Sequence, residues 1–224
     1  MIDFDALQRL RKPFPHWVAD AFIDDDQLRA INAAWPTDAH PGWMVETSVG
    51  TAAKGQVLFP CRLPAPAQDL AEALCSPAAL ERLSALVGYE LLADPWLHEG
   101  PPTPRLGGGL HEIYPGGLLN VHVDFERHPS GLKRVANLLL YLNEEWRVEW
   151  GGALELHGKS VRSIVPAGGR AVFFETTPDS WHGHPHPLQC PPGRTRRSLA
   201  LYYYAQVDGG EQRPKTVYRS KRCA

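Results

Sequence analysis

His122 and Asp124 stand two residues apart in LLNVHVDF, a segment that reads as a β-strand. Residues i and i+2 of a strand share a face, so the imidazole and the carboxylate converge while Val121 and Val123 point the other way. An imidazole and a carboxylate on one rigid strand supply two of the three ligands of a 2-His-1-carboxylate facial triad. Such a triad leaves coordination positions open and suits non-haem Fe(II) and O2 chemistry. H-x-D alone is a short motif and needs a histidine from a distant strand. The tract SWHGHPHP offers His182, His184 and His186. Pro185 and Pro187 keep a regular strand from running through the last two. His182 follows the strand-like RAVFFETTPDSW and is the expected third ligand, with His184 second and able to line the site instead.

A cosubstrate bearing a carboxylate would need a cation, and a guanidinium can grip both oxygens at once. Arg196 and Arg197 open the strand-like RRSLALYYY. Strand phase puts Arg197 on the face of Leu199, Leu201 and Tyr203, and Arg196 on that of Ser198 and Ala200. If the leucine face lines the interior of a barrel, Arg197 points inward.

Several elements must position these residues. Asp24-Asp25-Asp26 before QLRAINAAW places acidic residues at a helix start, where the dipole favours them. A second helix is expected over 65–74. A third follows Ser76-Pro77 and runs to Gly88, with Leu80, Leu83, Leu86 and Val87 as its stripe. From Tyr89 the pattern changes to short runs broken by Gly and Pro about every ten residues: YELLAD, GGLHEIY, LLNVHVDF, RVANLLLYL, GALELH, SVRSIV, RAVFFE and RRSLALYYYAQV. That spacing predicts a sandwich or barrel. The expectation is one domain over 1–224, mainly β: a mostly helical support at 1–88, a β core at 89–207 and a basic tail at 208–224.

Composition narrows the function further. The net charge of −2 disfavours a general nucleic-acid binder. Residues 190–224 carry +6 and the remainder −8. The basic end reads as a solvated tail, or as a contact for an acidic substrate or partner. No run of 18 apolar residues predicts a membrane helix. MIDFDALQRLRK lacks the apolar stretch of a secretory signal, so a cytoplasmic location is expected. Cys61, Cys75, Cys190 and Cys223 form no C-x-x-C pair and read as reduced thiols, not a zinc ribbon.

Taken together, YPGG (114–117), HVDFERHPSG (122–131), LLYLNEEW (139–146) with GGALEL (151–156), RAVFF (170–174), WHGHP (181–185) and RRSLALYYY (196–204) resemble the Fe(II)/2-oxoglutarate-dependent dioxygenases, in particular their prolyl-hydroxylase-like branch. The resemblance spans about 107–206. It implies a double-stranded β-helix (a cupin-like jelly roll), iron held by His122, Asp124 and His182, and 2-oxoglutarate and O2 as cosubstrates. It implies further that Arg197 takes the far carboxylate of 2-oxoglutarate, with Tyr114 and Tyr141 nearby; Asn137 shares the face of Tyr141. Asp124 speaks against a halogenating relative, which lacks that carboxylate. The fifteen residues from His182 to Arg197 are longer than many relatives show. The insertion 184–195 could form a substrate loop or move the arginine role to Arg194 or Arg196.

The expected activity is hydroxylation of an unactivated C–H bond of a small metabolite: an amino acid, a sugar or a natural-product intermediate. The alternative is a prolyl hydroxylase acting on a peptide. Candidate wall residues are Glu112, which shares a face with Tyr114; Asn120, which shares one with His122; and His111, Trp181 and His184. Readings from other classes are a cupin-like metal hydrolase or isomerase using the same three ligands, and a β-sandwich binding protein with incidental histidines.

Overall fold

The three helices form where caps and apolar spacing coincide. In α1 (Asp25–Ala33) the Asp24 side chain accepts from the Gln27 N–H, satisfying one of the amides left open at a helix start. α2 (Ala65–Leu74) turns Ala67, Leu70, Ala71 and Leu74 to the core. α3 (Pro77–Val87) starts on Ser76, which accepts from the Ala79 N–H, and ends on Gly88 in the left-handed conformation. The structure is a computed structural model that describes residues 2–48, 50–98, 107–207 and 213–219.

Twelve strands are found among the described residues, all in one antiparallel sheet. Four lie in the first 88 residues: β1 (Gln8–Leu10), β2 (His16–Ala19), β3 (Trp43–Ser48) and β4 (Thr51–Leu58). That stretch therefore sets four strands beside its three α-helices, which corrects the expectation of a mostly helical support. The others are β5 (Gly109–Val123), β6 (Lys133–Tyr141), β7 (Leu154–His157), β8 (Val161–Ile164), β9 (Ala171–Glu175), β10 (Trp181–His184), β11 (Arg196–Ala205) and β12 (Val217–Tyr218). YELLAD contributes only an isolated bridge between Leu92 and Tyr204. No described helix is long and apolar enough to cross a membrane. Cys61, Cys75 and Cys190 are free thiols; Cys223 lies outside the described residues.

The fifteen-residue β5 makes the sheet curl. Its first part pairs with β11 and β4, and its last residues pair with β10 and β12. One strand thus belongs to two layers: β1-β2-β9-β6-β11-β5-β4-β3, and β8-β7-β10-β5-β12. This is the double-stranded β-helix. The bend falls at Pro115-Gly116-Gly117. Gly116 has φ +77°, and a Cβ on Gly117 would sit 2.8 Å from the Ala52 carbonyl oxygen. The segment joining β10 to β11 clamps this corner: Gly116 N–H donates to Leu188 O (2.9 Å) and Leu188 N–H to Gly117 O (3.0 Å).

The main core lies between the outer face of the first layer and the helices. It includes Leu199, Leu201 and Tyr203 of β11, Leu138 and Leu140 of β6, and Leu70, Leu74 and Leu83 of the helices. Burying a leucine is worth about 1.5–3 kcal/mol, so Leu199 and Leu201 alone hold the phase of β11 by about 3–6 kcal/mol against a one-residue slip. The apolar face of β11 is consequently the helix-side face. Its other face, with Arg196, Ser198, Ala200 and Tyr202, lines the space between the layers.

The basic end is not a free tail over its described part. Residues 213–219 return to the sheet as β12, where Tyr218 pairs with His122 and Val217 with Val123. Arg213 bridges to Glu126 at 2.9 Å and donates to the Asp124 backbone carbonyl at 2.8 Å. Residues 208–212 and 220–224 lie outside the described residues.

Candidate active site

Pairing of β5 with β10 sets His182 directly opposite His122, and Asp124 follows immediately after β5. The ring centroids of the two histidines are 4.4 Å apart. His122 Nε2 is 3.6 Å from Asp124 Oδ1, and His182 Nε2 is 3.5 Å from Asp124 Oδ2. One ligand atom from each residue lies within 4.8 Å of the others; among the described residues this is the one such group of three His, Cys, Asp or Glu. Each imidazole is oriented by its own chain. His122 Nδ1 donates to Asn120 O (2.8 Å) and His182 Nδ1 to Ser180 O (2.9 Å), which turns Nε2 of both rings inward. This donor set, two nitrogens and a carboxylate on one side of a point, fits a facial Fe(II) site.

Asp124 sits on a polar support. Asn137 Nδ2 donates to Asp124 Oδ2 at 2.7 Å, and Arg134 Nη2 is 3.2 Å from the same oxygen. Arg134 also donates to Asn137 Oδ1 from Nε (2.8 Å) and Nη2 (2.6 Å), and its guanidinium lies against Tyr202 (3.3 Å) and Phe125 (4.8 Å). Burial opposes the charge of Asp124, but Arg134, then His182 and His122, hold its carboxyl well below the usual carboxylate range. Burial, with His122 beside it, pushes His182 down to about 4, so its ring is neutral near pH 7.

The triad opens into a cavity of about 240 Å³ between the two layers. Arg196 also lines it, 5 % exposed; its Nε donates to Gly152 O at 2.8 Å and its Nη2 lies 3.4 Å from the Tyr141 hydroxyl. Among the described residues Arg196 has no acidic partner. His111, His184, Lys54 and Gln56 line the same cavity. His184 Nδ1 and Nε2, His111 Nε2 and Gln56 Oε1 are buried without a hydrogen-bond partner. Burial pushes His111 and His184 well below the ordinary imidazole value.

The structure brings together His122, Asp124, His182, Asn137, Tyr141, His111 and His184. It separates the rest. Arg197 faces outward, because the leucines that share its face pack beneath the helices and do not line the barrel. Its Nε meets Glu112 Oε1 at 3.1 Å, its Nη1 donates to Asn32 Oδ1 at 3.0 Å, and it stacks over Trp35 at 4.7 Å. Tyr114 and Glu112 line this outer groove as well, since alternation along β5 carries them to the face opposite His111. Asn120 contributes its carbonyl to His122, and its side chain does not line the cavity. Trp181 sits beneath the Arg219 guanidinium at 4.9 Å, outside the cavity lining. His186 is turned to the surface, 3.4 Å from Glu155.

Sequence reasoning missed Glu46, Lys54 and Gln56 on β3 and β4, Arg134, Ser198, Tyr202, and Thr216 and Tyr218 near β12. Every one lines the cavity. Arg134 carried a usable signal, a basic residue opening an apolar strand as Arg196 does. The β12 residues carried none: a two-residue pairing has no periodicity.

Residues 108–204 match the sequence profile of the 2OG-Fe(II) oxygenase superfamily. No curated protein matches the chain by sequence. Solved structures share its fold. A Pseudomonas putida prolyl-4-hydroxylase superposes with a TM-score of 0.61 at 15 % identity, over 84 % of this chain and 91 % of that one. A Trichoplax adhaerens prolyl hydroxylase, in complex with a hypoxia inducible factor peptide fragment, gives 0.59 at 15 % over 84 % and 83 %. HygX from Streptomyces hygroscopicus, with nickel, 2-oxoglutarate and hygromycin B bound, gives 0.57 at 12 % over 90 % and 84 %. Members of the matched superfamily use Fe(II), 2-oxoglutarate and O2, and the matched segment contains His122, Asp124 and His182 on the fold those enzymes share. Over residues 108–204, which hold the triad, the chain is similar to the 2OG-Fe(II) oxygenase superfamily, and its fold is the one those solved structures share.

Proposed function

We propose that this oxygenase hydroxylates a C–H bond of a small metabolite, consuming one 2-oxoglutarate and one O2 and releasing succinate and CO2. His122, Asp124 and His182 hold Fe(II), and Arg196, assisted by Tyr141, holds the far carboxylate of 2-oxoglutarate. The observation that carries this reading is Arg196: a buried guanidinium without an acidic partner among the described residues, facing the cavity that the triad shares. A buried unpaired charge is costly, and a dicarboxylate anchored at the metal offers it a partner. This places on Arg196 the role that strand phase had placed on Arg197.

The metal, when bound, supplies the oxidising chemistry. The chain supplies the rest. Backbone carbonyls fix the two imidazoles, Arg134 and Asn137 fix the Asp124 carboxylate, and Arg196 orients the cosubstrate along the cavity. Tyr218 and the β3–β4 hairpin line one side of the space, whose volume is about 240 Å³. That small volume between the layers supports a small substrate over a peptide laid across the surface. The solved relatives include enzymes of both kinds, so the substrate must be found by experiment.

Anaerobic titration with Fe(II) and 2-oxoglutarate should produce a weak visible charge-transfer band that requires both; its absence would overturn the oxygenase reading for this site. Incubation with metabolite pools and with proline-containing peptides, in O2, should then give a +16 Da product in step with succinate from the metabolites. A product from peptides alone would favour the prolyl-hydroxylase alternative. Turnover without O2, or with zinc in place of iron, would favour the hydrolase or isomerase.

A further inference from the structure

Five side chains lining the cavity carry a formal charge, apart from its histidines: Glu46, Lys54, Asp124, Arg134 and Arg196. Arg134 is committed to Asp124, and the proposed function commits Arg196 to the cosubstrate. Lys54 and Glu46 are the other two. They are register partners across β3 and β4, with Lys54 Nζ 3.2 Å from Glu46 Oε2. The Lys54 side chain is 11 % exposed and that of Glu46 32 %, on a strand that pairs only with β4 among the described residues. The acid therefore sits nearer the mouth and the ammonium deeper, with Gln56 two residues on and on the same strand face.

A buried ion pair is weak evidence of a purely structural role, since an apolar pair of similar size often does as well. Here both charges border ligand space, one cationic and one anionic, side by side. The complementary ligand is itself a neighbouring pair of opposite charges. Laid head to tail against Lys54 and Glu46, such a ligand closes a four-charge ring in which every charge has two opposite neighbours. The buried and unpartnered Gln56 Oε1 supplies a further acceptor for an N–H. A neutral sugar would strip water from both side chains and return no charge to either. A proline inside a peptide has neither a free amine nor a free carboxylate.

We infer that the substrate is a zwitterion, a free α-amino acid whose carboxylate meets Lys54 and whose ammonium meets Glu46. This inference rests on the oxygenase reading above and names the substrate class for that site.

The test uses the Fe(II)-loaded enzyme with 2-oxoglutarate and O2, the twenty free L-amino acids, and their N-acetyl and carboxamide derivatives. Succinate above the substrate-free rate and a +16 Da product are the readouts. At least one free amino acid should stimulate turnover, with kcat/KM at least about tenfold above either of its capped forms. Glu46→Gln should shrink the preference for the free amine over the N-acetyl form. Lys54→Met should shrink the preference for the free acid over the amide. Thermal unfolding of each variant, and retention of the anaerobic charge-transfer band, separate a recognition defect from a folding or cosubstrate defect. Stimulation by none of the twenty amino acids, equal rates with capped and free forms, or unchanged preferences in the folded variants overturns the inference while the band leaves the oxygenase reading standing. Loss of the band in the unaltered enzyme sinks both.

Discussion

Adjacent arginines at the head of β11 offer two opposite phenotypes. Arg196→Met removes a buried cation whose partners in the free protein are a carbonyl and a hydroxyl. With no acid lost from a pair, apo stability should hold or rise slightly. The cosubstrate should suffer instead. Truncating one partner of a buried, hydrogen-bonded charge pair costs about 2–5 kcal/mol, or roughly thirty- to several-thousand-fold in 2-oxoglutarate affinity. Arg197→Ala should do the reverse. It strips Glu112, whose side chain is 7 % exposed, of its cation, and removes a bond to Asn32 and the stack on Trp35. Breaking a buried pair costs about 3–5 kcal/mol; Arg197 is 30 % exposed, so solvent screening reduces this to about 1–3 kcal/mol. For a chain of this length that is a fall of about 2–12 °C in Tm, with 2-oxoglutarate affinity within about twofold. The assays are anaerobic titration of the charge-transfer band and differential scanning calorimetry of the metal-free proteins. A large affinity loss in Arg197→Ala with a mild one in Arg196→Met would refute the assignment and the strand phase beneath it.

Other expectations follow from the same geometry. Arg134→Met leaves Asp124 without its nearest cation and should weaken Fe(II) binding about 10- to 100-fold; isothermal titration at pH 7 checks this, and unchanged affinity would remove Arg134 from the site's support. Metal-free protein should lose stability as pH falls from 7 to 5. The unfolded chain binds a proton at His182 near 6.5 that the folded chain refuses until about 4, so stability rises with pH across that window. His182 alone accounts for about 2 kcal/mol at pH 5, and His111 and His184 shift in the same direction. A flat profile in urea unfolding at pH 7, 6 and 5 would count against neutral buried imidazoles. At Gly50, φ is +96° and a Cβ would lie 2.6 Å from the Tyr218 ring. Gly50→Ala should therefore displace β12, seen as faster amide exchange over 213–219 with β6 and β9 unchanged.

How much the sequence discloses depends on which physics shaped each element. The helices at 65–74 and 77–87 are legible to the residue, because a proline or a serine cap and an apolar stripe agree locally. His122 and Asp124 are legible because period-two alternation fixes their common face. One inversion accounts for most of what is not. Strand reasoning takes the apolar face as the interior one, yet the space between these layers is polar and the apolar face packs under helices. That inversion pointed Arg197 inward in place of Arg196; Tyr114 was expected inside on the resemblance, with Glu112 beside it, and both line the outer groove. It also left Lys54 and Gln56 unread, because in TAAKGQVL the polar face looks like a solvated one. Register across distant strands, which sets His182 opposite His122, was legible only through the anchored approach to His182.

The corner in β5 has a mechanical consequence. His111 precedes the bend and faces the cavity beside Arg196 and Lys54, while His122 follows it in the other layer. The stretch between them is built like a crank: a few degrees of opening at Gly116 and Gly117 would swing His122 and Asp124 relative to Arg196 without altering any of the three. The brace on that crank is the backbone of Leu188, within the segment that joins β10 to β11. A change in the length of that segment would thus retune the spacing between His122 and Arg196 while every residue lining the cavity stays the same.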